Sequence, residues 1–173
     1  MPGGKTFACA ALLLVCAAFY AEAASFAVQV VQKDLSHDEV RSISVLVEES
    51  LMDYLFDRGH IVTNIPAVIS CGERDDEDAY AHGLEDAAEG SFEYFVEMVL
   101  NYNANSNGPE MNRLSNIKDI SWTLTDVRSR KILKSSVKSV EKIMRNEDSE
   151  QGIRRFSMGI AQEIETFLKG QRK

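Results

Sequence analysis

The clearest pattern in the sequence is an alternation of apolar and polar residues across positions 117–140. Ile120, Trp122 and Leu124 fall on one side, and the serine and threonine residues between them fall on the other. This is the period of a strand with one buried face. A charged turn from Asp126 to Lys131 leads into a second, more polar arm. The pattern predicts a β-hairpin that buries the only tryptophan of the chain and ends in an edge strand.

Three earlier runs also have the composition of strands. Residues 26–31 are rich in valine, and residues 92–102 place six apolar or aromatic residues on one face. That aromatic stripe is typical of core packing, with a ligand platform as the alternative. Residues 61–70 place Ile65 and Ala67 on the same face, but Pro66 cannot donate to a sheet ladder. This run is therefore predicted to be an edge strand or a broken one.

Three segments have the features of helices. The first is predicted to begin with a capping box formed by Ser36 and Glu39. It is predicted to end at Gly59, because glycine readily adopts the left-handed backbone conformation that terminates a helix. Its apolar residues at helical spacing are Val40, Ile43, Val47, Leu51 and Tyr54. The second runs to Glu89 from an acidic start, with small residues predicted to lie against the sheet. The third, about residues 149–169, carries an apolar stripe opposite charged residues, so it is predicted to cover the sheet.

The order of these elements is β-α-β-α-β-β-β-α. It predicts an α/β (α+β) fold in which helices pack against a mixed sheet of about five strands. The chain has 173 residues, of which 45% are hydrophobic and 27% charged. That length and composition are typical of one globular domain with a substantial core. We assign this domain to residues 24–173.

The first 23 residues have the three parts of a secretory signal peptide. Lys5 precedes an apolar stretch from Phe7 to Ala21, and Ala21-Glu22-Ala23 is a small-x-small cleavage site. The apolar stretch is shorter than a membrane-spanning helix requires. An uncleaved anchor and a lipoprotein attached through Cys16 are the less favoured alternatives. The sequence thus predicts a periplasmic or secreted protein with no membrane span after cleavage.

Charge and cysteine content narrow the range of partners. The net charge of −8 disfavours binding to nucleic acid, which requires a basic surface, and to anionic lipid. Removing the signal leaves Cys71 as the one cysteine, so a disulfide within the mature chain is excluded. For this thiol, a buried or bystander position is favoured over pairing between chains.

The acidic segment from Glu73 to Glu89 is the one place where metal chemistry competes with a structural interpretation. It contains eight acidic residues, with His82 close by. It lacks the alternating acids and central glycine of a calcium loop, whereas carboxylates in a first helical turn complement the helix dipole. We therefore favour a solvated helix start, with no metal and no cofactor. His37 and His60 flank the first helix and are interpreted as solvated or capping residues.

The sequence contains none of the common catalytic motifs. There is no Gly-x-Ser-x-Gly, His-Glu-x-x-His, Walker loop, dinucleotide fingerprint or Cys-x-x-Cys. The histidines lie in unrelated places, so no triad is indicated. We expect that the protein is not an enzyme. A small-ligand or cell-wall-fragment binding protein, with a pocket beside residues 92–102, is the alternative function.

A family resemblance rests on the segment Gly90-Ser-Phe-Glu-Tyr-Phe-Val96 and on the hairpin from Trp122-Thr-Leu-Thr-Asp126 to Lys131-Ile-Leu133. Together with the order of elements, these resemble small α/β domains of bacterial envelope proteins. Such domains include the amino-terminal domain of TolB, LpoB and the periplasmic part of CsgG. The resemblance implies a non-catalytic envelope module that docks onto a larger protein assembly. Whether the chain also forms a homo-oligomer is left open.

Two charged sets are candidates for the docking surface. One is basic and lies on the return arm of the hairpin; it consists of Lys131, Lys134 and Lys138. The other is the acidic helix start; it consists of Asp75, Asp76 and Asp78. Charges of this kind can select a partner and steer its approach. The simpler interpretation of the lysines is that they keep an exposed strand from pairing indiscriminately.

Overall fold

A computed structural model describes residues 23–34, 38–103, 112–140 and 147–171. The strands are β1 (Ser25–Lys33), β2 (Ile61–Ile69), β3 (Tyr94–Tyr102), β4 (Ile117–Asp126) and β5 (Lys131–Ser139). The α-helices are α1 (Ser42–Asp57), α2 (Glu73–Glu89) and α3 (Glu150–Gln171), and a short 3-10 helix spans Leu114–Asn116. Residues 1–22 of the predicted signal peptide, which spans residues 1–23, lie outside the described residues, as do Ser36 and His37.

The described strands form one mixed sheet in the order β2-β1-β3-β4-β5. β1 runs parallel to both of its neighbours, β2 and β3. The last three strands form an antiparallel meander. The α/β (α+β) class, the element order and the five-stranded sheet are thus confirmed, and the two edges of the sheet are β2 and β5.

One face of the sheet carries the main hydrophobic core beneath α1 and α3. The predicted faces of β3 and β4 point into it, including Met98, Leu100 and Trp122. The two helices pack on each other as well as on the sheet, and Ser157 of α3 donates a hydrogen bond to the Val47 carbonyl of α1 at 2.5 Å. The aromatic stripe of β3 is therefore part of the core packing.

Of the described helices, α2 covers the opposite face, over part of its width. A smaller core joins α2 to β1, β2 and β3, and Phe95 is its largest fully buried side chain. Gly83 permits this close approach, because a Cβ there would collide with the side chains of Gln29 and Phe95. The predicted packing of small residues against the sheet is confirmed at Ala79, Gly83 and Ala87, whereas Ala88 is exposed.

Strand β2 departs from its predicted pattern at Pro66. The register with β1 shifts between Gln29 and Val31, so two β2 residues oppose one residue of β1. The shift reverses the faces of the strand: Ile65 joins the smaller core, whereas Ala67 packs against the main core. The prediction that both lie on one face is wrong, because the bulge interrupts the two-residue period. The predicted edge position is confirmed.

Two other boundaries also differ from the sequence prediction. Helix α1 begins at Ser42 and not near Ser36, because the Arg41 backbone is extended and its N–H donates to the Gln32 side chain at 2.8 Å. The end of the helix is as predicted, with Gly59 at a φ of +85°. Strand β3 begins at Tyr94, and Phe92 packs against the smaller core because the backbone turns through a left-handed Ser91.

Candidate functional site

The open edge of β5 is the candidate site. The Val140 N–H donates to the Lys118 carbonyl at 3.0 Å, which fixes the alternation of hydrogen bonds along the hairpin. Residues 134, 136 and 138 direct their backbone groups toward β4. The N–H and C=O groups of Ser135 and Val137 therefore point away from the sheet, where an added strand would pair with them.

The side chains on the uncovered face of β5 are partly apolar. Ile132 and Val137 are 53% and 67% exposed. Between them, the Ser135 hydroxyl lies 3.2 Å from the Thr123 hydroxyl on β4. Helix α2 contacts β1, β2 and β3 and reaches β4 through the hydroxyls of Tyr80 and Thr125, so none of the described helices covers this part of the face. Two large aliphatic side chains thus border a strand edge that no other described strand pairs with.

The three lysines of β5 lie on the predicted edge strand but differ in their surroundings. Lys134 and Lys138 lie on the opposite face, and both pair with Glu163 of α3, at 3.0 Å and 2.9 Å. Hydrogen bonding, first to Lys138 and then to Lys134, lowers the pKa of Glu163 against the opposing effect of partial burial. Lys134 also lies 5.5 Å from the ring centre of Trp122. Only Lys131, at the turn, is a fully exposed lysine of this set.

The other edge of the sheet is interrupted. The Ile61 N–H donates to the Ala24 carbonyl, so Val62 and Asn64 direct their backbone groups outward. Pro66 follows in the same strand and has no N–H to offer, and the bulge bends the strand at that point. β5 also has a bulge, because its register with β4 shifts between Leu124 and Thr125, but its residues 134–139 pair without a shift and contain no proline.

The acidic residues at the start of α2 are engaged locally. Asp75 accepts a hydrogen bond from the Cys71 N–H at 2.9 Å. Asp76 accepts one from the Ser70 hydroxyl at 2.5 Å and pairs with Lys33, and Asp78 is exposed. This is the arrangement of a helix start. Because α2 begins after β2, the fold does not bring these carboxylates together with the lysines of β5.

Cys71 and the histidines require two corrections. Cys71 is exposed, so a buried position of this thiol is wrong, whereas the bystander position that was favoured beside it stays a prediction. Cys71 lies two residues after the end of β2. His60 is half-buried rather than solvated, since its Nδ1 accepts from the Ala24 N–H at 3.2 Å and its ring packs edge-on to Phe26. The capping interpretation is confirmed, because its backbone N–H donates to the Leu55 carbonyl of α1 at 3.2 Å. His82 is exposed on α2.

A buried polar network at the end of β1 was not predicted from the sequence. Arg41 and Asp34 form an ion pair at 3.1 Å, with both side chains almost fully buried. The Arg41 guanidinium also lies 4.7 Å from the ring centre of Tyr102. Burial raises the pKa of Tyr102 to about 12. The network ties the start of α1 to β1 and β3.

A second buried polar pair lies beneath α2. Gln29 of β1 and Glu97 of β3 are neighbours across the parallel ladder, and Glu97 is only 8% exposed. Within the described part of the chain, Oε1 of each has no hydrogen-bond partner. Burial, reinforced by the nearby Asp76 carboxylate and opposed by Lys33, raises the pKa of Glu97 to about 7. A protonated Glu97 has a hydroxyl to donate, whereas an ionised one adds a buried charge beneath the helix.

We expect Glu97→Gln to flatten the dependence of stability on pH. Since the pKa of Glu97 is higher in the folded chain than its ordinary value of 4.5, the folded state holds a proton that the unfolded state releases. The free energy of unfolding therefore falls as pH rises from about 4.5 to about 7. In the variant, this decrease should be smaller by about 2 kcal/mol.

Urea unfolding at about pH 5 and about pH 8 measures this difference, with the exposed Glu89→Gln as the matched control. Glu48 is also buried with a pKa raised to about 7, and it is unchanged in both variants, so its contribution cancels. If the free energy of unfolding falls by the same amount between the two pH values in Glu97→Gln and in the control, the prediction is wrong.

Two of three comparisons with known proteins found similar proteins. The model of a family described as "Uncharacterised protein" matches residues 25–169. No curated protein matches the sequence. Among solved structures, the PelC dodecamer from Paraburkholderia phytofirmans is similar at 12% identity and a TM-score of 0.42, over 84% of this chain and 86% of that one.

Two further solved structures are similar at the same level. TolB from Acinetobacter baumannii is 16% identical with a TM-score of 0.42, over 86% of this chain but only 29% of TolB. Lipoprotein GNA1162 from Neisseria meningitidis is 12% identical with a TM-score of 0.41, over 82% of this chain and 96% of that one. TolB was among the resemblances inferred from the sequence, while those to LpoB and CsgG stay predictions. Across the described residues, no helix combines the length and apolar character needed to cross a bilayer.

Proposed function

Since the chain belongs to the family described as "Uncharacterised protein", whose model spans residues 25–169, we propose a function for it from its own geometry. The protein is a non-catalytic module of the bacterial envelope that docks onto a larger protein assembly. The observation that supports docking is the open β5 edge, with Val137 and Ile132 exposed beside it. Single-domain proteins commonly protect such an edge or use it to bind.

The envelope location and the absence of catalysis are parts of the same proposal. The signal-like sequence of residues 1–23 supports export. The non-catalytic role rests on the sequence, which contains none of the motifs that position a nucleophile, a hydrolytic metal or a phosphate. In the described ranges, His60 and His82 serve as packing and surface residues on separate elements.

Site-specific photocrosslinking in cells of the native host tests the docking proposal. A benzophenone amino acid at position 137 is expected to give a discrete crosslinked species with another protein. The same residue at position 85, an exposed site on α2, serves as the matched control. If no position on the exposed surface, including 137, yields a discrete species, docking is wrong. Species from position 85 alone would move the docking surface to α2.

A further inference from the structure

We propose that β5 receives an extended segment of the partner protein as a sixth strand, and that this segment alternates apolar and acidic residues. This inference rests on the proposed docking function and specifies the conformation and residue types of the partner segment. It follows from three features of the edge: the direction of its backbone groups, the side chains on its two faces, and its charge.

The backbone groups set the pairing. Ser135 and Val137 direct their N–H and C=O groups away from β4, so each offers one donor and one acceptor to a neighbouring strand. Both edge strands have a bulge, but in β2 the bulge contains Pro66, which has no N–H to donate, whereas residues 134–139 of β5 pair without a shift and contain no proline. Strand addition is therefore favoured at residues 134–139 of β5 over β2.

The side chains set the pattern of the added strand. On the face left open by α2, Ile132 and Val137 are more than half exposed, so apolar residues of the partner would bury surface there. On the other face, Lys134 and Lys138 share the single carboxylate of Glu163. An added carboxylate on that face would meet two ammonium groups that are balanced by one acid.

The overall charge favours an acidic partner over a second copy of this chain. Residues 117–140 contain six basic and two acidic residues in a chain whose net charge is −8. The hairpin is thus a basic region of an acidic protein. Antiparallel pairing of two β5 edges about Ser136 would place Lys134 of each copy opposite Lys138 of the other, and like charges across strands are destabilising.

A designed peptide tests the inference directly. The probe is a fluorescein-labelled peptide of alternating valine and glutamate, as long as β5, and its control alternates valine and lysine. We expect saturable binding of the first, measured by fluorescence anisotropy, and slower hydrogen exchange at the amides of Ser135 and Val137. Binding should weaken as salt is raised, because the acidic side chains meet lysines at the surface.

Val137→Pro removes one outward N–H and leaves the hydrogen bonds to β4 in place. It should weaken binding of the valine–glutamate peptide about tenfold. Asn64→Pro makes the same change at an outward position of β2 and should leave binding unchanged. Thermal unfolding of both variants is compared with that of the natural chain, to detect a variant that weakens binding only because it is misfolded. The hydrogen-exchange measurement uses the natural chain, so it does not depend on the folding of a variant.

Three outcomes would overturn the inference. They are equal binding of the two peptides, exchange at Ser135 and Val137 that the peptide does not slow, and salt-insensitive dimers of the chain that Val137→Pro dissociates. If Val137→Pro with the benzophenone amino acid at the exposed position 132 retains the crosslinked partner while the peptide fails to bind, docking stands and strand addition is wrong. If the natural sequence gives no crosslinked species from any exposed position and the peptide fails to bind, the proposed function itself is wrong.

Discussion

Replacing Trp122 with alanine is expected to lower the free energy of unfolding by about 3–5 kcal/mol. Trp122 is the largest fully buried side chain of the described residues, at 1% exposure, and lies on β4 beneath α3. Truncation would leave a large cavity at the centre of the sheet. It would also remove the ring beneath the Lys134 ammonium, so the ion pairs to Glu163 should loosen as well.

Urea unfolding measures this loss, with Val137→Ala on the neighbouring strand as the matched control. Because Val137 is mostly exposed, its truncation should change stability by no more than about 0.5 kcal/mol. Trp122→Phe should fall between the two, since it keeps an aromatic ring and removes an indole N–H that has no partner among the described residues. Equal stability of Trp122→Ala and the control would mean that the buried face of β4 is assigned incorrectly.

Arg41→Met is expected to cost about 3–5 kcal/mol, because it leaves the Asp34 carboxylate buried without its guanidinium. The double variant Arg41→Met with Asp34→Leu should recover much of this loss, since removing both charges also removes their desolvation cost. Arg154→Met, at an exposed position of α3, is the control for the loss of an arginine. If the stability loss of the double variant equals the sum of the losses measured for Arg41→Met and Asp34→Leu alone, the two residues are not coupled.

The fold was predictable where one interaction determines the pattern. The alternation around Trp122 survives in the structure because one face of β4 is buried and the other is not. Glycine at position 59 marked a helix end because its φ is +85°. The prediction failed where backbone geometry overrides the period: Pro66 introduces a bulge, and Ser91 turns the chain before β3.

The candidate site was predictable only in part, because it depends on register. The sequence indicated that β5 is an edge strand carrying lysines, but not which face each lysine occupies. Lys134 and Lys138 face α3 because their partners on β4 are Leu124 and Ile120, which belong to the core. The partner of these lysines, Glu163, is more than twenty residues further along the chain. Nothing in the local pattern of β5 pointed to it.

The placement of β1 has a consequence for the order in which the molecule can assemble. β1 precedes the other described strands in the sequence, yet it lies between β2 and β3, and α1 above it contacts α3, which follows all five strands. The contact between Val47 and Ser157 joins residues 110 positions apart. Contacts of such long sequence separation form late and slow the folding of a domain. Until α3 is available to the rest of the domain, α1 covers the sheet without its partner helix, so the native core closes only after residues 150–171 have joined it.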